Sequence, residues 1–151
     1  MEMLVSERVG FKSALTIQDI ASATLTDWYA MAGSLKLRCI VRVESAAADV
    51  QITLREAKDA AGTDAQNLVR CLPALSKVDG SATVEIAEDN TAVITVTDLN
   101  GAAGYVVVEV EGQNLSEGFT HFALSIDGGA ARNGQATFES EKERKPAYEQ
   151  D

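Results

Sequence analysis

The chain has 151 residues, with 13 basic and 23 acidic side chains and a formal charge of −10. That is the length of one domain, and a field of that sign repels nucleic-acid backbones. Hydrophobic residues make up 46% and charged residues 24%, which excludes disorder along the whole chain, while an aromatic share of 5% leaves the core to be built from Val, Ile, Leu and Ala.

The N-terminus, Met1-Glu2-Met3-Leu4-Val5-Ser6-Glu7-Arg8, lacks a basic stretch followed by an apolar one, and no apolar run approaches the roughly 18 to 20 residues of a membrane span. The expectation is a soluble protein made and assembled in a cytoplasm, with no nucleic-acid and no membrane partner. Residues 1–34 show no sustained period: Val9-Gly10-Phe11 and Ala14-Leu15-Thr16-Ile17 supply short strands, and 22–27 reads as a small, polar loop. The aromatic pair Trp28-Tyr29 follows, either as a plug at the edge of the core or as an interface patch.

From Leu35 to Glu44 the odd positions are all apolar, and the even ones are charged except Ile40. A period of two predicts a strand with one face buried. After Ser45–Asp49 the alternation resumes, with Val50, Ile52 and Leu54 inward and Gln51, Thr53 and Arg55 outward, and the two runs are expected to pair as an antiparallel hairpin. Lys36, Arg38 and Arg42 point outward, where they can pair with acidic residues across the sheet and discourage edge-to-edge association. Residues 57–64 break the period with small and turn-forming residues and predict a surface loop. Between Asp64 and Leu72, Leu68, Cys71 and Leu72 fall at helical spacing behind a capping Thr63 or Asp64, which predicts one short helix stopped by Pro73.

The second half reads as a series of strands over 83–86, 92–97, 105–111, 119–126 and 134–139, rich in β-branched residues and separated by turn chemistry such as Asp79-Gly80, Asn100-Gly101 and Asp127-Gly128-Gly129. About seven or eight strands at this spacing predict an all-β fold, an antiparallel β-sandwich. Residues 140–151 are densely charged without an apolar face and read as a tail: a solvated terminus, or an arm that orders on a neighbouring subunit. The expected organisation is therefore a single domain, with an N-terminal segment 1–34, a sandwich core 35–139 and a charged tail 140–151.

Chemistry is sparse. Cys39 lies on the inward face of its run, where a thiol acts as a small hydrophobe, and two cysteines at this spacing, Cys39 and Cys71, match no metal or redox motif. The single histidine, His121, has no nucleophile context around it, so a structural role is expected. The acidic residues Asp59, Asp64, Glu88, Asp89 and Asp127 are scattered over turns, not spaced as a calcium loop requires, and neither glycine-rich stretch precedes a helix as a phosphate loop does. Catalytic, metal and cofactor sites are expected to be absent, and the chain is not expected to be an enzyme.

The order of elements resembles small virion structural proteins of tailed bacteriophages. The features that carry the resemblance are the alternating strand shortly after Trp28-Tyr29, the second strand ending in Leu54-Arg55-Glu56-Ala57, the loop from Lys58 to Gln66, the late strand led by Tyr105, and the ending Arg144-Lys145-Pro146. The resemblance spans roughly residues 28–146. It implies a jelly-roll-like sandwich that decorates or cements the outside of a capsid in the virion. It also implies two partners, the major capsid protein and further copies of itself in a homo-oligomer, a trimer or dimer. Candidate interface residues are Trp28, Tyr29, Arg144, Lys145, Pro146 and Tyr148. Other readings are a head-to-tail closure or tail-tube component and a carbohydrate-binding or other ligand-binding module, the latter requiring exposed aromatic platforms that a chain with one Trp and three Tyr supplies sparingly.

Overall fold

The computed structural model describes residues 9–32, 34–69 and 72–142. Among these, twelve strands follow one another: β1 (Val9–Asp19), β2 (Thr24–Leu25), β3 (Tyr29–Ala30), β4 (Ser34–Val43), β5 (Val50–Ala57), β6 (Gln66–Asn67), β7 (Ala74–Val78), β8 (Thr83–Ile86), β9 (Val93–Val96), β10 (Gly104–Val110), β11 (His121–Asp127) and β12 (Asn133–Lys142). One sheet has the order β1-β12-β4-β10-β7-β8. The other is built on β11 and β5, with β2 and β3 beside β11, and β6 and β9 beside β5. The named strands pair antiparallel throughout. The fold is an antiparallel β-sandwich, jelly-roll-like in the way the chain passes back and forth between its sheets.

The two-residue rhythm sets the core. From the β4 sheet, Leu37, Cys39, Val41 and Val43 point inward beside Val106, Val108 and Val110 of β10 and Phe138 of β12; from the β5 sheet, Val50, Ile52 and Leu54 do so beside Phe122, Leu124 and Ile126 of β11. Each such side chain stabilises the fold by about 1.5–3 kcal/mol when fully removed from water. Tyr29 crosses from the β5 sheet to meet Phe138 edge to face, with ring centroids 5.9 Å apart. One glycine is fixed by close approach: a Cβ on Gly104 would lie 2.1 Å from the Lys77 carbonyl oxygen, so β10 and β7 can join at that point only without a side chain.

The structure corrects the expected hairpin. β4 and β5 belong to different sheets, β4 lying between β12 and β10 and β5 between β11 and β9. Side by side, their two apolar rows would share one face and still need a cover. In separate sheets they contribute to the two walls of a single core. Because β4 is central in its sheet, its outward charges guard no edge. They do pair with acids, as expected: Lys36 and Arg38 with Glu109 and Glu139 on the neighbouring strands, and Arg42 with Asp79 in the turn after β7.

The short helix expected over 64–72 is also corrected. Gln66 and Asn67 form β6 on the edge of β5, and the Leu68 N–H donates to the Leu54 carbonyl at 3.0 Å, so this backbone is satisfied by a sheet. Leu68 and Leu72 are buried all the same, which is why their spacing imitated a helical face. The one helical turn among the described residues is a 3-10 turn at Gly112–Asn114. Beyond Pro73 the structure adds β7, whose Ala74 and Ser76 face inward, a strand too short and too polar to stand out in the sequence. At the N-terminal side, the two short strands merge into the single strand β1, which accommodates two irregularities in register against β12, and the expected loop at 22–27 contains β2.

Candidate functional site

No group of three or more His, Cys, Asp and Glu side chains converges as a metal site among the described residues. The features that stand out are a patterned outer face on the β4 sheet and two buried charges at opposite ends of the sandwich.

On the outer face, register places side chains in rows across strands. One row runs Phe11, Glu139, Arg38 and Glu109 over β1, β12, β4 and β10. Arg38 donates through Nε and Nη2 to Glu109 at 3.2 and 3.1 Å and through Nη1 to Glu139 at 3.4 Å, while Lys36 reaches Glu109 at 3.1 Å. Burial works to raise the Glu109 carboxyl, but its hydrogen bonds and charge contacts with Lys36 and Arg38 outweigh that and hold it below the usual range. Arg42 makes a two-pronged pair with Asp79 at 2.7 and 2.6 Å, and that hydrogen-bonded guanidinium lowers the Asp79 carboxyl. The next row is apolar: Ile40, Val107 and Leu75 align across β4, β10 and β7, ending at Glu85 on β8. A groove of about 550 Å³ opens at that end, bordered by Pro73, Leu75, Glu85, Ile86 and Val107. Phe11 and Ile17 on β1 are 65% and 67% exposed, and Leu75 is 40% exposed.

The outer face of the β5 sheet is different in kind. Its outward positions on β5, β9 and β11 include Gln51, Thr53, Arg55, Val93, Thr95, His121 and Ser125, and none is Phe, Tyr or Trp. His121 is half-buried, with Nδ1 hydrogen-bonded to the Thr120 hydroxyl at 2.8 Å.

Glu56 continues the inward row of β5, beside Phe122, and is fully buried. Its carboxylate accepts from Gln66 Nε2 at 2.7 Å and from the Ser116 N–H at 2.8 Å, which ties β6 and the loop before β11 to the sheet. Past the opposite end of β11, Arg132 is also buried and donates to three carbonyls: Nη2 to Ala46 at 2.7 Å and Leu99 at 3.1 Å, and Nη1 to Ala48 at 3.3 Å. No carboxylate pairs with its side chain among the described residues, its Nε finds no partner, and burial lowers its proton affinity. The carbonyls belong to the β4–β5 and β9–β10 connections, so Arg132 closes this end of the molecule.

Of the residues expected at an interface, Trp28 and Tyr29 are half-buried. Tyr29 meets Phe138 and its hydroxyl lies 3.3 Å from Ser34 Oγ; the indole of Trp28 lies against Gly62, whose φ of +81° would place any Cβ 2.8 Å from Nε1. Arg144, Lys145, Pro146 and Tyr148 lie outside the described residues, as does Cys71. Cys39 is a free, buried thiol, and burial raises its pKa well above the ordinary thiol value. The acidic turns serve their own loops: Asp59 accepts from the Thr63 hydroxyl and from the Thr63 and Ala61 N–H groups, and Asp127 accepts from the Gly129 N–H. The sequence reading stopped the inward row at Leu54, although parity alone carries it to Glu56. Arg132 follows a turn and has no periodic signal.

A scan against protein-family models finds no match for the chain, and a search of curated proteins finds none either. Among solved structures that align with it is the SPBc2 prophage-derived protein YomS, with 7% identity and a TM-score of 0.44 over 92% of this chain and 98% of that one. Another is the N-terminal endo-1,4-beta-D-xylanase 10B of Clostridium thermocellum, in a structure of its CBM22-1 and GH10 modules complexed with xylohexaose, with 7% identity and a TM-score of 0.40 over 93% of this chain and 25% of that one. A family two carbohydrate esterase from Cellvibrio japonicus aligns with 10% identity and a TM-score of 0.24, over 89% of this chain and 34% of that one. At such identities the alignments assign no role to any residue of this chain.

Proposed function

We propose that the chain is a non-enzymatic virion structural protein of a tailed bacteriophage, which binds the outer capsid surface as a homo-oligomer and stabilises the shell. The observation that carries this reading is the outer face of the β4 sheet. Its charges are bound to one another across strands by Lys36, Arg38, Glu109 and Glu139, and beside them lies the apolar row Ile40, Val107 and Leu75. Such a face offers area and shape to a partner surface. Repeated over many copies, modest contacts of this kind add up through multivalency. The resemblance of the sequence to small virion proteins supports the same reading. The carbohydrate-binding alternative draws less support, because the outward positions on β5, β9 and β11 offer no Phe, Tyr or Trp platform for a sugar to stack on.

The test is to add purified protein to capsids assembled without it and to follow co-sedimentation and the temperature at which the shells open. Saturable binding with a raised opening temperature is the expected result. Failure to co-sediment at any ratio, or assembly into tubes or head-to-tail rings instead, overturns the proposal. Sedimentation velocity of the free protein is expected to give a dimer or trimer.

A further inference from the structure

The β4 sheet ends at β8, whose strand partner among the described residues is β7 alone. Register places Val84 of β8 opposite Ser76 and Ile86 opposite Ala74, on the inward face. Ser76 and Ala74 are buried, yet Val84 is 48% exposed, so the cover supplied by the β5 sheet gives out between β7 and this part of β8. β8 is therefore an overhanging edge. Thr83 and Glu85 of its outward row are exposed, and so is the apolar side chain between them on its inner face. The other edge strands longer than two residues are protected: the Asp27 N–H donates to the Ala14 carbonyl of β1 at 2.9 Å, and Ile94 and Val96 of β9 are already buried.

An open edge is a template for another strand, and the residues of β8 complement a second copy of themselves. In an antiparallel pair with a two-fold axis at Val84, that side chain meets Val84 of the partner subunit, Ala82 meets the partner's Ile86 and Thr83 meets the partner's Glu85. The apolar side chains then lie together on the inner face. The charges select the same register. Lys77 is opposite Thr83 on the outer face, so the row continues from Lys77 over Thr83 to the partner's Glu85. That is two strand spacings, about 10 Å between backbones, which the long Lys and Glu side chains close over the small Thr83. Neither Lys77 nor Glu85 has an ion pair among the described residues, and the two-fold axis makes the contact twice. A pair centred on Glu85 instead would set like charges opposite each other.

We infer that β8 is the contact through which two copies of this chain associate, edge to edge, so that their β4 sheets join into one continuous sheet. The inference rests on the homo-oligomer part of the proposed function, whose contact surface it names, and not on shell binding. It makes the assembly a dimer, because a two-fold contact between two edges closes on itself. The apolar row Ile40, Val107 and Leu75 runs on through Glu85 to the partner's Thr83, which widens the outer face that the pair presents. So short an edge buries little area, and the dimer is correspondingly weak and concentration-dependent.

Sedimentation velocity and amide exchange of the full-length chain over a range of concentrations test it, together with charge reversals at Lys77 and Glu85, neither of which is buried. A monomer–dimer equilibrium is expected, with exchange in the 82–86 peptide slowing as the concentration rises while that of β9 stays constant. Glu85→Lys and Lys77→Glu should each weaken the dimer by roughly three- to tenfold, and the double reversal should return it to within about twofold of the parent. An oligomer that leaves exchange in β8 unchanged, or that ignores both reversals, overturns the inference while the homo-oligomer stands on another surface. Single reversals that weaken the dimer without rescue by the double one overturn it as well. A strict monomer up to about 1 mM removes both this contact and the homo-oligomer, and shell binding is then decided by co-sedimentation alone.

Discussion

The two ends of the sandwich solve one problem with opposite charges. At one end a carboxylate, Glu56, is buried and satisfied by a side-chain amide and a backbone N–H; at the other a guanidinium, Arg132, is buried and satisfied by backbone carbonyls. Neither has a counter-charge among the described residues. The difference lies in what each gathers. Glu56 accepts from the edge strand β6 and from one crossing between the sheets, the β10–β11 connection, whereas Arg132 collects carbonyls from two crossings, the β4–β5 and β9–β10 connections. A buried charge held by several hydrogen bonds is tolerated, even where one donor, Arg132 Nε, finds no partner, and its worth depends on how many separate segments it holds.

The comparison can be broken by placing a charge where no partner waits. Val41→Asp puts a carboxylate on the fully buried face of β4, at a cost of several kcal/mol, and should abolish soluble folding. A soluble variant with unchanged cooperative melting would show that burial of β4 is not what holds the sheets together.

Arg132→Met is expected to be the next largest effect, about 2–4 kcal/mol by urea unfolding, because Ala48 loses its donor while Leu99 loses one of two and Ala46 one of three. It should also raise amide exchange in the 44–49 and 97–103 connections before the rest of the molecule. Glu56→Leu should cost less, about 1–3 kcal/mol, with faster exchange confined to β6 and the loop around Ser116; Glu56→Gln, which keeps an acceptor for Ser116, should recover about half of that loss. Equal costs for Arg132→Met and Glu56→Leu would remove the distinction between holding two crossings and holding one.

The smallest effect belongs to the exposed charges. Arg38→Met should cost no more than about 1 kcal/mol, because its pairs with Glu109 and Glu139 are open to solvent. Its pH dependence has a definite sign. Glu109 is lowered in the folded state from an ordinary value of 4.5, so the stability it contributes is complete above that value and is lost as the pH falls through the lower folded value. Unfolding titrations between pH 6 and about pH 3 should therefore show a shallower acid loss in Arg38→Met than in the parent chain.

Much of the fold was legible because alternation is a local code. Leu37 to Val43, Val50 to Leu54 and Phe122 to Ile126 announce which side of each strand is buried, and the later strands fall close to their predicted spans. Helical spacing misled over Leu68 and Leu72, which are buried although Gln66 and Asn67 pair with β5 as a strand and the Leu68 N–H donates to Leu54. The candidate site was less legible. Ile40, the one apolar exception among the outward positions of its run, belongs to the row with Val107 and Leu75, but that row exists only once β4, β10 and β7 are neighbours.

Taken alone, the sequence determined the class of structure, the inward and outward faces of most strands and the aliphatic make-up of the core, because a two-residue period and β-branched composition act within each strand. The tertiary structure decided which strands share a sheet, which acids meet Arg38, and how Glu56 and Arg132 come to be buried with no opposite charge beside them among the described residues. Those outcomes depend on contacts between segments far apart in the chain, and a periodic pattern states that a face must be covered without stating what covers it.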